Sequence, residues 1–194
     1  GLEMAEALRE RDIAVTLVEL TPQVFLAADP EMVTPIHQQL RLHGVDLRLG
    51  TSVNALEEIQ DGLRADLSTG ETLDCDMVVL SVGVKPEVDL AEDAGLDIGE
   101  QGGIIVDDHM RTSDPDILAV GDAVETMSIM HGGRMNAPLA GPANRQARVA
   151  MDNAFGRNST YPGTQGTAIC KVFDLAVGLT GLSEKEAERC DIPY

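Results

Sequence analysis

The stretch "TSDPDILAVGDAVE", residues 112–125, decides how this chain is read. An apolar run, Ile117 to Val120, stops at Gly121, and a bare carboxylate, Asp122, follows at once. The pattern predicts a buried strand carrying a glycine and an acid at its tip. Such a tip is either a local turn capped by Asp122 or the place where a hydroxyl-bearing ligand meets a carboxylate.

Outward from that stretch the chain alternates strand and helix signals. "IIVDDHMRTS" (104–113) reads as a strand before it, and "APLAGPANRQARVAMDNAF" (137–155) as a helix after it. "GRNSTYPGTQG" (156–166) has the composition of a linker, and "TAICKVFDLAVGLTG" (167–181) opens a strand-rich region. Upstream, "MVVLSVG" (77–83) is the most apolar candidate strand, followed by a short helix in "VKPEVDLAEDAGL" (84–96). Residues 54–76 read as short strands with turns at Asp61-Gly62 and Thr69-Gly70, and "VDLRLGTSV" (45–53) as another strand. Asp29 and Pro30 fit an N-cap and first helical position for residues 30–44, Gly44 fits the stop, and Pro35 is expected to bend the helix.

The first twenty residues have the same grammar. Leu2, Ala5 and Leu8 lie on one helical face, a turn falls at Arg11-Asp12, and "IAVTLVEL" (13–20) is a strand ending near Glu19. Helix, turn and strand form the second half of a β-α-β unit. In a dinucleotide-binding unit, the last glycine of G-x-G-x-x-G opens the helix, and an acid about 20 residues on binds the adenosine ribose. Gly1 and Glu19 fit those places, although a glycine at a helix start has many other uses. The strand and the first two glycines are then expected upstream.

Composition bounds the function. Of 194 residues, 43% are hydrophobic and only 3% aromatic, so a core must rest on aliphatic side chains. A formal charge of -19 argues against sequence-independent nucleic-acid binding and against anionic membranes. Cys75, Cys170 and Cys190 lack metal-like spacing, and the four histidines form no ligand pattern, so no metal is expected. No apolar run reaches membrane-span length and no signal peptide opens the chain, which points to the cytoplasm. Asn158-Ser159-Thr160 is then an ordinary loop rather than a glycosylation site.

Six segments in order carry a resemblance: "GLEMAEAL", "VTLVEL", "VVLSVGVKPEVDLAEDAGL", "TSDPDILAVGDAVE", "APLAGPANRQARVAMDN" and "GTAICKVFDLAVGLTGLSEKE". Together they resemble the pyridine nucleotide-disulfide oxidoreductases, within them the branch of coenzyme A-disulfide reductases, NADH oxidases and NADH peroxidases. The resemblance implies an α/β chain that is a middle piece of a longer protein. Residues 1–103 would be a Rossmann-like NAD(H)-binding domain lacking its first strand, 104–157 the C-terminal part of an FAD-binding domain, and 158–194 the truncated start of an α+β dimerisation domain. It implies FAD and NAD as cofactors, a small-molecule substrate and a homodimeric intact protein. Asp122 would accept hydrogen bonds from the ribityl chain of FAD, a charge-assisted contact worth roughly 1.5–3 kcal/mol, and Gly121 would let that chain approach the backbone. Leu139, Ala140 and Gly141 would face the flavin pyrimidine ring. On the other cofactor, Glu3 would lie near the nicotinamide, Gly1 and Glu19 would serve the dinucleotide, and Gly83 would sit in a loop beside it. Glu19 favours NADH, because a 2'-phosphate would meet like charge there. The redox cysteine belongs to the upstream half, so none of the three cysteines here is expected to be catalytic. The intact protein is expected to pass electrons from NADH through flavin to a disulfide, persulfide, peroxide or oxygen. The chain by itself is expected to hold little flavin and to turn nothing over. A non-catalytic NAD-binding or interaction module is the competing expectation. Lacking its first strand, the sheet is also expected to leave two unpaired edges and a slot.

Overall fold

A computed structural model describes residues 1–194. Leu2–Arg9 forms α1, its charge ordered with Glu3 in the first turn and Arg9 in the last. Arg9 then closes the turn that follows, donating to the carbonyls of Ile13 at 2.8 Å and His43 at 3.0 Å. Thr16–Glu19 (β1), Pro30–Leu42 (α2) and Asp46–Leu49 (β2) complete a unit in which β1 and β2 run parallel, Thr16 opposite Asp46 and Glu19 opposite Leu49. Val33, Ile36 and Leu40 recur at helical spacing on α2 and are fully buried with Val24 and Val45. Each such side chain contributes roughly 1.5–3 kcal/mol of burial. Pro35 is accommodated inside a continuous helix. Val53–Ile59 (β3), Gly62–Leu67 (β4) and Thr72–Cys75 (β5) form an antiparallel meander with the predicted turns. Gly62 is obligatory there: at φ 139° a Cβ would sit 2.5 Å from the Cys75 carbonyl oxygen.

Residues 77–83 depart from expectation. They form no strand, and all but the half-buried Val78 are exposed, Leu80 at 73% and Val82 at 91%. Apolar composition marks a segment fit for burial on both faces, but a parallel strand forms only where a neighbour supplies its hydrogen bonds. The parallel pair β1–β2 takes up no third strand.

Residues Gly1–Val82, with Ile169–Leu179 and Ser183–Lys185, make one compact unit; Gly83–Ala168, with Thr180–Leu182 and Glu186–Tyr194, make a second. In the second, Asp89–Asp93 (α3) is the short helix expected within 84–96. Ile104–Ile105 (β6) pairs parallel with Val124–Met127 (β7), which pairs antiparallel with Arg134–Asn136 (β8). The strand predicted over 116–122 is replaced by a tight reversal. Arg111 bridges Leu118, Thr112 N–H donates to the Ile117 carbonyl and Ala119 N–H to that of Met110. Ala140–Ala154 (α4) lays Ala150 against Val106, Met110, Val124 and Tyr161. Tyr161 and Thr164 lie in the predicted linker yet are buried, their hydroxyls joined at 2.8 Å with Thr126 beyond at 3.1 Å. This stretch is therefore pinned down rather than loose. Glu125 of β7, 1% exposed, accepts from the N–H groups of Gln101 and Gly103 at 2.7 and 3.1 Å, so the 99–103 turn wraps its carboxylate.

The chain then adds Ala168–Val172 (β9), Leu175–Leu179 (β10) and Glu184–Arg189 (α5). The β9–β10 turn is locked to the first unit. Phe173 stacks on His43 with centroids 4.0 Å apart, while Glu6 accepts from Lys171 Nζ at 2.6 Å and from Phe173 N–H at 2.7 Å. Asp29 also departs from expectation. It occupies the N-cap position of α2 without a side-chain bond to that helix, and its carboxylate instead accepts from the N–H groups of Glu184 and Lys185, the first two residues of α5.

Candidate functional site

In the second unit, the Gly121-Asp122 turn and the start of α4 are tied together. Gly121 has φ 91°, a left-handed conformation glycine adopts freely, and the space where a Cβ would project is open. Its N–H donates to Gln146 Oε1 at 2.8 Å, and Gln146 is a buried residue of α4. Asn136, just before α4, donates through Nδ2 to the carbonyls of Asp122 and Val124 at 2.7 and 3.1 Å. The backbone of the turn is thus held from two sides, while the Asp122 carboxylate is exposed and meets no protein donor. An acid whose backbone is fixed and whose oxygens are free is arranged for an outside donor. At the helix start, Leu139 spends its N–H on the Ala137 carbonyl, whereas Ala140 and Gly141 keep theirs unpaired, as first-turn groups do. Two amides and the positive end of a 15-residue helix are therefore on offer to negative charge.

In the first unit, Gly1 is the N-cap of α1, and a Cβ on it would make only ordinary contact with Ser81 Cβ at 3.5 Å. Glu3 lies exposed in the first turn of α1. Glu19 ends β1 half-buried: its Oε1 accepts from Thr21 N–H at 2.9 Å and Thr21 Oγ1 at 2.8 Å, leaving Oε2 available. Gly83, which opens the second unit, has φ 102° and is exposed, and a Cβ added to it would meet nothing within 4 Å. The structure therefore brings Gly121 and Asp122 together with the α4 start, and places Gly1, Glu3 and Glu19 on the β1-bearing unit.

Three polar side chains that sequence reasoning missed set these groups. Gln146 and Asn136 hold the Gly121-Asp122 turn, and Thr21 holds Glu19. An apolar helix face interrupted by a glutamine at Gln146 was the available signal. Two shallow clefts lie elsewhere, one of about 210 Å³ at Glu6, Arg9, His43 and Lys171, another of about 370 Å³ along α2 at Thr34, His37 and Arg41. Neither is lined by a predicted cofactor residue. No group of three or more His, Cys, Asp or Glu side chains is placed to hold a metal ion. Burial, helped by the charge of Glu3, pushes the Cys170 thiol above its ordinary range, the opposite of an activated nucleophile. No helix is long and apolar enough to cross a membrane.

A family model described as pyridine nucleotide-disulphide oxidoreductase matches residues 1–147. The chain is similar to the NAD(P)H sulfur oxidoreductase (CoA-dependent) of Pyrococcus furiosus, 36% identical over 188 residues that make up 96% of this chain and 42% of that protein. Reduced Bacillus anthracis CoADR-RHD superposes with a TM-score of 0.94 at 44% identity, over 99% of this chain and 34% of that one. A NAD-dependent persulfide reductase from A. fulgidus does so with a TM-score of 0.94 at 41% identity, over 98% and 35%. The fold is α/β with Rossmann-like sheets, and the chain spans 42% of the length of that curated relative.

Proposed function

The chain belongs to the pyridine nucleotide-disulphide oxidoreductase family, and from that premise we propose that the protein carrying it takes hydride from NADH and passes electrons through FAD to a small-molecule disulfide, persulfide, peroxide or oxygen. FAD supplies a hydride acceptor that can hand electrons on, and NADH supplies the hydride. The observation that carries the proposal is Asp122: an exposed carboxylate without a protein partner, on a turn whose backbone is held by Gln146 and Asn136. That group would accept hydroxyl donors of the flavin side chain. The open space over Gly121 admits such a chain without a Cβ in its path. The free amides of Ala140 and Gly141, beside Leu139, would stabilise negative charge on the flavin ring.

Gly1, Glu3, Glu19 and Gly83 would serve the dinucleotide. Glu19 keeps one carboxylate oxygen for a ribose hydroxyl and would repel a 2'-phosphate, which favours NADH. The redox thiol lies outside these residues. The proposed partition is an NAD-binding domain over 1–103, FAD-domain residues over 104–157 and the start of a dimerisation domain from 158, in a cytoplasmic homodimer.

Purification of the full-length protein tests this. A yellow preparation that oxidises NADH, and whose Asp122→Ala variant loses flavin, is expected. A colourless protein with no NADH oxidation overturns the enzymatic reading. If its melting temperature still shifts with NADH, the non-catalytic NAD-binding module takes its place.

A further inference from the structure

His37, on α2, makes a hydrogen bond that a charged histidine cannot make. Its Nε2 accepts from the backbone N–H of Val24 at 3.2 Å, so the ring is neutral with its hydrogen on Nδ1. Val24 is in the core, 3% exposed, and belongs to the loop that leaves β1 after Glu19. From Val24 a continuous set of contacts runs back to the Glu19 carboxylate. The single hydroxyl hydrogen of Thr21 is shared between the Gln23 carbonyl, 2.6 Å away, and Glu19 Oε1 at 2.8 Å. Thr21 N–H donates to the same Oε1, and Gln23 Nε2 reaches the Ala28 carbonyl at 3.0 Å, closing the far side of the loop.

We propose that His37 is a positioning residue for the dinucleotide, holding the 20–28 loop, and through it Glu19, only while its ring is neutral. The inference rests on the assignment of Glu19 to the adenosine ribose. A proton on Nε2 would set two donors against each other and release Val24. Burial, followed by the field of Arg41 one turn along the same helix, holds the His37 pKa below its ordinary value, which keeps the acceptor available near neutrality. The other charged groups on the surrounding elements are already engaged or lie at the loop's ends. Asp29 is bound to the start of α5, and Lys185 holds the carbonyls of Leu26 and Ala28. Asp46 and Arg48 on β2 pair with each other, and Glu31 sits in the first turn of α2. None of the contacts made by these groups is to the His37 ring.

The sign follows from the acceptor role: affinity for NADH is full while the ring is neutral and is lost as pH falls through the lowered His37 pKa, on the acid side of the ordinary histidine value of 6.5. The test uses the full-length, flavin-loaded enzyme and two hydride donors, NADH and reduced nicotinamide mononucleotide, which lacks the adenosine half. His37→Leu is expected to raise KM for NADH by about three- to tenfold, the worth of one hydrogen bond. The kcat and the KM for the mononucleotide should stay unchanged. His37→Gln offers an amide oxygen that accepts without titrating, so it should remove the acid rise in NADH KM that the wild type shows. An unchanged NADH KM in His37→Leu, an equal rise for both donors, or an acid rise that persists in His37→Gln overturns the proposal; if His37→Leu does not fold, the His37→Gln profile decides alone. Glu19→Gln separates the two layers. Should it weaken NADH while the His37 variants do not, only the role of His37 falls; should it leave NADH unaffected, the ribose assignment falls as well.

Discussion

Replacing Gln146 by methionine asks how much of the Asp122 geometry depends on one hydrogen bond. Methionine keeps the length and nearly the volume of glutamine, and at a site 2% exposed it leaves little void. What disappears is the acceptor for Gly121 N–H, now met at 2.8 Å. An N–H left dry costs about 1–3 kcal/mol, but Gly121 is half-buried and water can reach it, so about 1–2 kcal/mol is expected. If that bond is what fixes the turn for flavin, the dissociation constant of FAD rises by roughly five- to thirtyfold. The assay is titration of flavin-stripped full-length protein with FAD, followed by the change in flavin fluorescence, for wild type, Gln146→Met, Asp122→Ala and the double variant. Because Gln146 acts through the turn that bears Asp122, its loss should matter far less once the carboxylate is gone. Strictly additive effects, or a Gln146→Met variant that binds FAD as wild type does, would mean that Gln146 does not set the Asp122 turn for flavin.

Three further outcomes are expected. Lys171's hydrogen bond, joined by the N–H of Phe173 and opposed by burial, lowers the Glu6 pKa below its ordinary value of 4.5. Its contribution is therefore complete above that value and lost as pH falls through the lower folded one, so Glu6→Gln should flatten the acid decline of stability in urea melts across that window. Gly99→Ala would drive a Cβ into the buried Glu125 carboxylate; displacing a group that anchors two N–H donors should cost about 1–3 kcal/mol in the same melts, and a neutral result would mean the 99–103 turn is not held as described. Tyr161→Phe removes the 2.8 Å bond to Thr164 and should cost about 1 kcal/mol, against nothing if the 156–166 stretch were a free linker.

Local signals carried much of this architecture. Pro30 and Gly44 announced the start and stop of α2, and Asp61-Gly62 and Thr69-Gly70 announced the meander, because helix ends and turns are decided by neighbours in the chain. Pairing was less legible. Residues 77–83 have the composition of a central strand, yet composition speaks of what a segment can bury and not of what lies beside it. Residues 124–127 carry no local strand signal, since the buried Glu125 takes its donors from the 99–103 turn, more than twenty residues away. Asp29 had the chemistry of a cap, but the helix it serves begins 155 positions later. Among the site residues, Gly121 and Asp122 were visible as a motif, while Gln146 and His37 act on backbone groups 25 and 13 positions distant, contacts no local pattern records.

The bare ribbon at 77–82 also governs how these 194 residues behave in a test tube. Met77, Val79, Leu80 and Val82 stand in water within six positions that contain neither proline nor charge, the composition from which stacked intermolecular sheets assemble. Lys85 and Pro86 guard its C-terminal side, and Asp76 precedes it, so adhesion is confined to a short window. Heating the isolated polypeptide should therefore end in precipitate, its lifetime set by a rate of opening and sticking instead of a reversible equilibrium. Leu80→Lys, which puts a charge in the middle of that window, should delay the turbidity.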